Sequence, residues 1–581
     1  MRYVTIFGMQ TYTLRESVPD NIREQLAEYP PLMQELLHAR GIGTADAAKQ
    51  FLQPDYEAHF HDPFLLPDME RAVQRIYKAL QANETIIIYS DYDMDGGPGG
   101  VILHDFFKKI GYEHFKNYIP HRHEEGYGLN VPAVEGFAHA GAKLLITVDC
   151  GITDTKPVAA ANKLGIDVII TDHHLPITKN VSEEALPDAY AIINPKRKTS
   201  TYPFDGLCGA GIAFKLVQAL LQKGKFEIPE GWEKWLLDMA GLATIADMVP
   251  LRGENRALAH FGLVVLRKSP RPGLQQLCRK MRTDQRYLTE DDVGFMIGPR
   301  INAASRMGEA MDAFRLLSTT DEIEAGTLAD HLNHVNDERK GVVAGMAKEI
   351  KRRIKALGEV RGVLVMGDPR WRPSLLGLAA NSLVEEYQRP VFLWGREGSN
   401  IIKGSCRSDG SVDVVALMSE SPEMFIDFGG HRYSGGFSVP QERVHELEAQ
   451  LLLAYERVRT KGFQLEPVYM DKELSLDEVT WQTYGMIAKF APFGMENPKP
   501  AFLFKDATIA ETRYFGRDKS HLELRLRAPS GTQISAIKFF AKPGQFKNPL
   551  AKESSINLVA TFEKSMFKRM PELRLRIVDI L

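Results

Sequence analysis

Short, uninterrupted apolar runs alternate with longer stretches of helical spacing between residues 81 and 250. The runs are Thr85 to Ser90, Leu144 to Val148 and Val168 to Thr171, with another at Tyr190 to Ile193. Between them, Val101 to Phe107 and Lys156 to Leu164 repeat apolar residues at helical intervals. Continuous apolar strands joined by helices are what a parallel sheet covered on both faces requires. The pattern predicts a doubly wound α/β domain over 81–270. Residues 1–80 read as a helical segment, from the spacing at Arg23 to Ala27 and Pro31 to Leu37. Residues 271–355 read as a helical connector whose charged, periodic end, Ile323 to Ile354, predicts a long solvated helix. A second, smaller α/β domain is predicted over 356–462, from the strands Gly362 to Met366 and Pro390 to Trp394 around a helical Leu375 to Glu386. Over 463–581 the apolar period falls to two, at His521 to Arg527 and Glu572 to Val578, which predicts antiparallel strands.

The residues that end the first domain's strands carry the candidate chemistry. Asp91, Asp93 and Asp95 follow the first run, Asp149 the second, and Asp172, His173 and His174 the third. In a doubly wound sheet, ligands gather at the carboxyl ends of strands. Carboxylates and imidazoles delivered there together point to a site for more than one metal ion. Carboxylates shared by two ions hold them about 3.5–4 Å apart, a spacing suited to clamping a phosphoryl group. Mixed Asp/His donors suit Mn²⁺, while Mg²⁺ prefers oxygen alone. A calcium loop would need glutamate at its twelfth position, where this chain has Ile102. A plain polar turn stays open as an alternative for Asp91 to Asp95. Asp247 ends an apolar stretch, Gly241 to Ala246. If buried it needs a partner such as a metal; if exposed it needs none. Arg300, Asn302 and Arg306 offer two fork-shaped cations and an amide for phosphate, or simply decorate a helix start. Gly404 to Ser408, with Arg407, and Gly429 to His431 are small-residue loops that let backbone approach a ligand, or ordinary turns.

Composition narrows the class. With 44% hydrophobic and 25% charged residues, this is a globular composition, and 581 residues call for three or four domains. The net charge of -3 means that any nucleic-acid surface must be local. One candidate is residues 501–581, with 15 Lys/Arg against 8 Asp/Glu. Basic strands interleaved with Phe515, Phe539, Phe540 and Phe567 suit a small barrel that stacks bases; a solvated basic sheet is the alternative. Cys150, Cys208, Cys278 and Cys406 are scattered, with no Cys-x-x-Cys, so neither a zinc ribbon nor a disulfide framework is expected. That suits a reducing, cytoplasmic setting. No apolar run reaches a membrane span of roughly 18 residues, and no secretory signal is expected at Met1 to Arg15.

Taken together, the motifs resemble the DHH phosphoesterase superfamily and, within it, the RecJ exonucleases. The matching segments run in order: Asp91 to Gly96, Glu124 to Leu129, Val148 to Ile152, Asp172 to His174, Ile193 to Pro195, Gly298 to Ala303, Gly404 to Ser408, Phe428 to His431 and Pro492 to Pro498. The resemblance implies a catalytic DHH domain, a long connecting helix, a DHH-associated domain and a C-terminal OB-fold barrel. It implies 5′-to-3′ hydrolysis of single-stranded DNA to mononucleotides with two Mn²⁺ or Mg²⁺ ions, in DNA repair and recombination. The implied metal ligands are Asp93, Asp95, Asp149, His173 and Asp247, with Asp91 either joining them or orienting one from behind. His174 would sit beside the scissile phosphate, and Arg300, Asn302 and Arg306 would hold phosphates near it. Arg407, Ser408 and His431 would hold DNA from the second lobe. Single-stranded DNA is the implied partner, with a helicase and a single-strand-binding protein as further candidates, and the chain is expected to act as a monomer.

The chain also departs from that family. Gly97-Pro98-Gly99-Gly100 replaces small hydroxyl residues, and Trp371-Arg372-Pro373-Ser374 replaces Trp-His-Pro-Gly. Ser382 stands for an arginine and Cys406 for a glycine. All four changes are read as lying on substrate-contacting loops, and the proline as altering the loop-to-helix entry. Two rival functions remain: a DHH-type phosphodiesterase on short oligonucleotides or other small phosphates, and a catalytically silent single-strand-binding scaffold.

Overall fold

The structure is a computed structural model. It describes residues 2–4, 11–178, 183–358, 360–396, 401–459, 467–516, 519–541, 546, 549–566 and 570–581. The chain forms two compact units. One comprises residues 1–298, 314–326 and 467–581; the other comprises 299–313 and 327–466.

The first unit holds the predicted parallel sheet. Its five strands lie in the order Phe115–Tyr118, Thr85–Ser90, Ala142–Val148, Asp167–Thr171, Ala191–Ile193, and every pairing is parallel. The four strands other than the edge strand Phe115–Tyr118 have almost entirely buried side chains, as strands covered on both faces must. The order reverses beside Thr85–Ser90, with the later strand on one side and the third on the other. Such a switch point opens a crevice at the carboxyl ends of the strands.

The C-terminal strands close a barrel. Phe502–Phe515, His521–Arg527, Gln533–Phe539, Glu572–Ile580 and Ser555–Ser565 pair in succession, and the last returns to the first. Alternating leucines of His521–Arg527 fill the interior and its charged residues face outward, as period two requires.

The helical reading of residues 1–80 needs correction. Several helices form there, but Thr11–Leu14 is a strand, paired antiparallel with Arg2–Val4 and parallel with Val468–Met470. The second of these partners lies at the far end of the chain, so local spacing carried no sign of it. The same segment packs on the C-terminal region: Leu26, Leu36 and Leu37 share a core with Phe490 and Phe502, and Arg40 donates to Asn497 Oδ1 (2.6 Å) and Pro498 O (2.7 Å).

In the second unit, Leu364–Gly367 and Val391–Gly395 pair in parallel, followed by antiparallel Ile402–Arg407, Ser434–Val439 and Asp427–His431. The charged stretch is one helix, Glu322–Leu357. No helix among the described residues is long and apolar enough to cross a membrane.

Candidate metal centre

The crevice at the switch point receives the acidic loops. The loop after Thr85–Ser90 brings Asp91, Asp93 and Asp95; the one after Ala142–Val148 brings Asp149; the one after Asp167–Thr171 brings His173 and His174. Asp247 arrives as the C-cap of helix Leu237–Ala246. Three sets of donor atoms each lie within 4.8 Å of one another: Asp91, Asp93 and Asp149; Asp95, His173 and Asp247; Asp149, His173 and His174. Asp149 and His173 are each shared between two sets, as expected of a centre built for paired ions.

Tight backbone approaches hold this geometry. Asp95 accepts from the amides of Gly209 (2.6 Å) and Ala210 (2.7 Å), at the start of helix Gly209–Lys223. Asp149 sits in left-handed conformation (φ 63°), and a Cβ on Gly209 would lie 2.6 Å from its own Cβ. Only glycine fits there without displacing the carboxylate. Asp93 Oδ1 accepts from the amides of Asp95 (2.8 Å) and Gly96 (3.2 Å), folding its loop back on itself.

The nearby cations Arg122 and Lys196 only partly offset these charges. His173 Nε2 faces Asp149 Oδ1 (3.1 Å), Asp95 Oδ2 (3.6 Å) and Asp247 Oδ2 (3.8 Å). Asp91 Oδ1 and Asp149 Oδ1 are buried without a hydrogen bond. Burial, and then the neighbouring carboxylates, push Asp91, Asp93 and Asp149 above the usual carboxylate range. Asp247 is pushed up to about 9 by burial and by Asp95 and Asp93. Burial also lowers His173, leaving its imidazole neutral and able to donate a lone pair. Unpartnered buried oxygens around a neutral imidazole fit divalent cations of the Mn²⁺ or Mg²⁺ class.

This arrangement links metal, protons and stability. Asp247 carries a proton in the folded, metal-free chain that it lacks when unfolded, so its contribution is fully present only below its ordinary value of 3.8 and drains away as pH rises toward 9. The chelated protein is therefore expected to lose thermal stability as pH rises, and the gain in Tm on adding Mn²⁺ to widen from about pH 6 to about pH 8. Mn²⁺ binding near neutrality should release protons, so its calorimetric enthalpy should track the buffer's ionisation enthalpy. A buffer-independent enthalpy would contradict this.

Asp172 is a scaffold residue. Its carboxylate accepts from the Ile152 amide (2.9 Å) and the His174 amide (3.0 Å), and meets His174 Nδ1 (2.8 Å). Burial alone would raise it, but these bonds outweigh that and hold it below the carboxylate range. Tyr127 and Lys196 were not singled out in the sequence. Tyr127 Oη lies 3.1 Å from His174 Nδ1 and donates to Asp149 O (3.2 Å). The Lys196 charge opposes the upward push on Asp247. Tyr127 lies within Glu124 to Leu129 and Lys196 directly follows Ile193 to Pro195, but nothing local distinguishes them from their neighbours.

The other predicted residues belong to the second unit, described by itself. Arg300 Nε donates to Asn333 Oδ1 (3.0 Å) on the long helix, and Asn302 Oδ1 is buried without a hydrogen bond. Arg306 and Ser374 are locked together: Arg306 donates to Ser374 O (2.8 Å), and the Ser374 hydroxyl donates to Arg306 O (2.9 Å). Arg407 Nη1 is braced by Ser405 Oγ (3.1 Å) and Cys406 O (2.8 Å), and a Cβ on Gly377 would stand 2.6 Å from its Nη2. The Ser408 hydroxyl is engaged in its own turn, donating to Val412 O and accepting from Gly410 N. His431 is exposed at the end of a hairpin strand.

Three departures correct the expectation that all lie on substrate-contacting loops: Ser382 sits within helix Pro373–Tyr387, and the other two are packing matters. Helix Gly96–Lys109 begins at Gly96, so Pro98 falls in its first turn, where an amide has no intrahelical partner to lose. A Cβ on Gly99 would meet Val148 at 2.6 Å, and one on Gly100 the Ser90 hydroxyl at 2.3 Å. Cys406 is wholly buried in the second unit's core. On the barrel, Phe515, His521, Phe539 and Phe540 cluster, with ring centroids 5.1–6.4 Å apart, and Arg576 caps Phe539 at 4.0 Å. Phe540 is 82% exposed. Phe567 lies outside the described residues.

Comparison with known proteins agrees with this reading. Residues 85–244 match the DHH family N-terminal domain, 360–456 the DHHA1 domain, and 470–579 the RecJ OB domain. The single-stranded-DNA-specific exonuclease RecJ of Bacillus subtilis is 35% identical over 561 residues, spanning 96% of this chain and 69% of that protein. The protein of that description from Escherichia coli is 33% identical over 513 residues, covering 85% of this chain and 86% of its own length. The crystal structure of Thermus thermophilus RecJ with Mn²⁺ superposes with a TM-score of 0.80 at 26% identity, over 98% of this chain and 79% of that one; the Mg²⁺ complex gives 0.74 at 25% identity. Identity above 30% over 85–96% of this chain places it in the RecJ family.

Proposed function

We propose that this chain, a single-stranded-DNA-specific exonuclease by family, removes mononucleotides from the 5′ end of a strand at the centre formed by Asp91, Asp93, Asp95, Asp149, His173 and Asp247. The observation that carries the assignment is the convergence of these groups within ligating distance of one another, with carboxylate oxygens buried and unpartnered. Two Mn²⁺ or Mg²⁺ ions, when bound, acidify water and offset the charge gathering on phosphorus.

The protein's part is positional. Asp172 engages His174 Nδ1, which orients the imidazole and leaves Nε2 as the nitrogen able to meet a phosphoryl or leaving oxygen. Burial would lower His174, but Asp172 outweighs it and raises the imidazole, favouring the proton-donating form. Arg300, Asn302 and Arg306 are assigned to phosphates of the strand, Arg306 with its direction set by Ser374. Arg407 and His431 are assigned to more distant nucleotides, and the aromatic, basic barrel face to base stacking. Ser408 supports this surface through its turn. A helicase or single-strand-binding partner and a monomeric state complete the proposal.

The decisive experiment is digestion of 5′- and 3′-labelled single- and double-stranded DNA with Mn²⁺, Mg²⁺ or chelator. Metal-dependent mononucleotide release from the 5′ end of single strands alone is expected. Equal cleavage of dinucleotides and long strands would favour the small-phosphate reading, and tight binding without release would favour a silent scaffold.

A further inference from the structure

The long helix Glu322–Leu357 carries a cationic face that the assigned residues do not use. A groove of ≈ 520 Å³ runs along it, walled by Arg339, Lys340, Lys348 and Lys351 and bounded by Ser382 of helix Pro373–Tyr387. Its floor is Val343, Ala344 and Ala347. From Lys340 onward these positions repeat at three- and four-residue intervals, so they share one face. Among the described residues, no carboxylate lines the groove.

Cation is in excess there. Lys348 is exposed and in no ion pair among the described residues. Lys340 meets Asp337 (3.1 Å) and Lys351 meets Glu386, but each of these side chains is more than a third exposed. Solvent-exposed pairs of this kind are weak and exchange readily for another anion. Beneath them, Arg339 donates to Asn336 Oδ1 (3.0 Å) while its Nε is buried without a partner, as is Nδ2 of the fully buried Asn336. Of these two residues Arg339 lines the groove; a buried donor left unmet is costly, and an anion there is the kind of group that would satisfy its Nε.

We propose that this groove is an additional track for the sugar-phosphate backbone of a single strand, separate from the phosphate contacts of Arg300, Arg306 and Arg407. The proposal rests on the exonuclease reading and extends it. The twelve residues from Lys340 to Lys351 span ~16 Å of helix, enough for about three or four phosphates. The small, non-aromatic floor leaves room for a backbone and offers no stacking surface, so the contact is independent of base sequence. Ser382 adds to that room, since its short side chain leaves the wall facing the lysines open.

The test is strand binding by K340A/K348A/K351A against a control that removes three exposed lysines elsewhere, K156A/K163A/K225A. Affinity for a strand of about 40 nucleotides is measured across salt concentrations in chelator, and Mn²⁺-dependent cleavage is measured on an oligomer of about 6 nucleotides. The groove variant should lower the slope of log affinity against log salt by about 2, at ~0.7 per phosphate contact, and weaken long-strand binding by ~10-fold or more near 0.1 M salt. Its cleavage of the short oligomer should match the parent's. An unchanged slope, or an equal fall in the control, overturns the track. Loss of short-oligomer cleavage places these lysines in the catalytic path and overturns its separateness. A parent inert on every single strand counts against the exonuclease reading instead.

Discussion

Asp149→Asn is expected to lower nucleotide release from single-stranded DNA by about 10³-fold or more, the equivalent of ~4 kcal/mol of transition-state stabilisation. Asp149 shares donor sets with Asp91 and Asp93 on one side and with His173 and His174 on the other, so losing its charge weakens both halves of the centre. Asparagine is the informative replacement. The backbone stands at φ 63°, which Asn tolerates and Ala resists, so the loop should keep its course. Strand binding, measured with catalysis off, should stay close to that of the parent. Without metal, the variant should melt higher, because a carboxylate crowded by Asp95, Asp93 and Asp91 has become neutral. Asp149→Ala should be as inactive but less stable. Retention of more than about a tenth of parental activity in Asp149→Asn would remove this residue from the centre.

The second large effect concerns stability. Lys215 and Glu254 form an ion pair at 2.8 Å with both side chains at 0% exposure. Glu254 also accepts from Tyr202 Oη (2.6 Å) and the His61 amide (3.3 Å), and Lys215 donates to His61 O (2.5 Å). The cluster bolts the segment before the parallel sheet onto helix Gly209–Lys223, whose first amides hold Asp95. Burial lowers Lys215, and Glu254 is what opposes that. Glu254→Leu alone leaves an ammonium, a hydroxyl and an amide buried without their acceptor and should cost ~3–5 kcal/mol. The double variant K215M/E254L removes both charges and should recover most of that loss. Thermal or urea unfolding reads both. A single variant as stable as the parent, or a double variant worse than the single, would refute the account.

Local spacing determined much of this protein. Strands buried on both faces must be apolar throughout, so Thr85 to Ser90, Leu144 to Val148 and Val168 to Thr171 were recognisable at once, and so were the polar residues that end them. Alternation at His521 to Arg527 likewise declared a half-buried strand. Asp247 was harder, because one carboxylate after an apolar helix has the same local pattern whether it is exposed or bound.

What only the tertiary structure decided depends on partners far along the chain. Strand order made the crevice between the loops of Asp91 to Asp95 and of Asp149 a switch point, and order is a long-range property. Thr11–Leu14 found its strand partner at Val468–Met470. Cys406, Gly99 and Gly100 turned out to be packed, because a side chain's facing depends on what covers it. Tyr127 acquired meaning only when the loop after another strand brought His174 to its hydroxyl. Side-chain period travels with the chain; proximity between distant segments is settled by folding, which the period of any one segment does not encode.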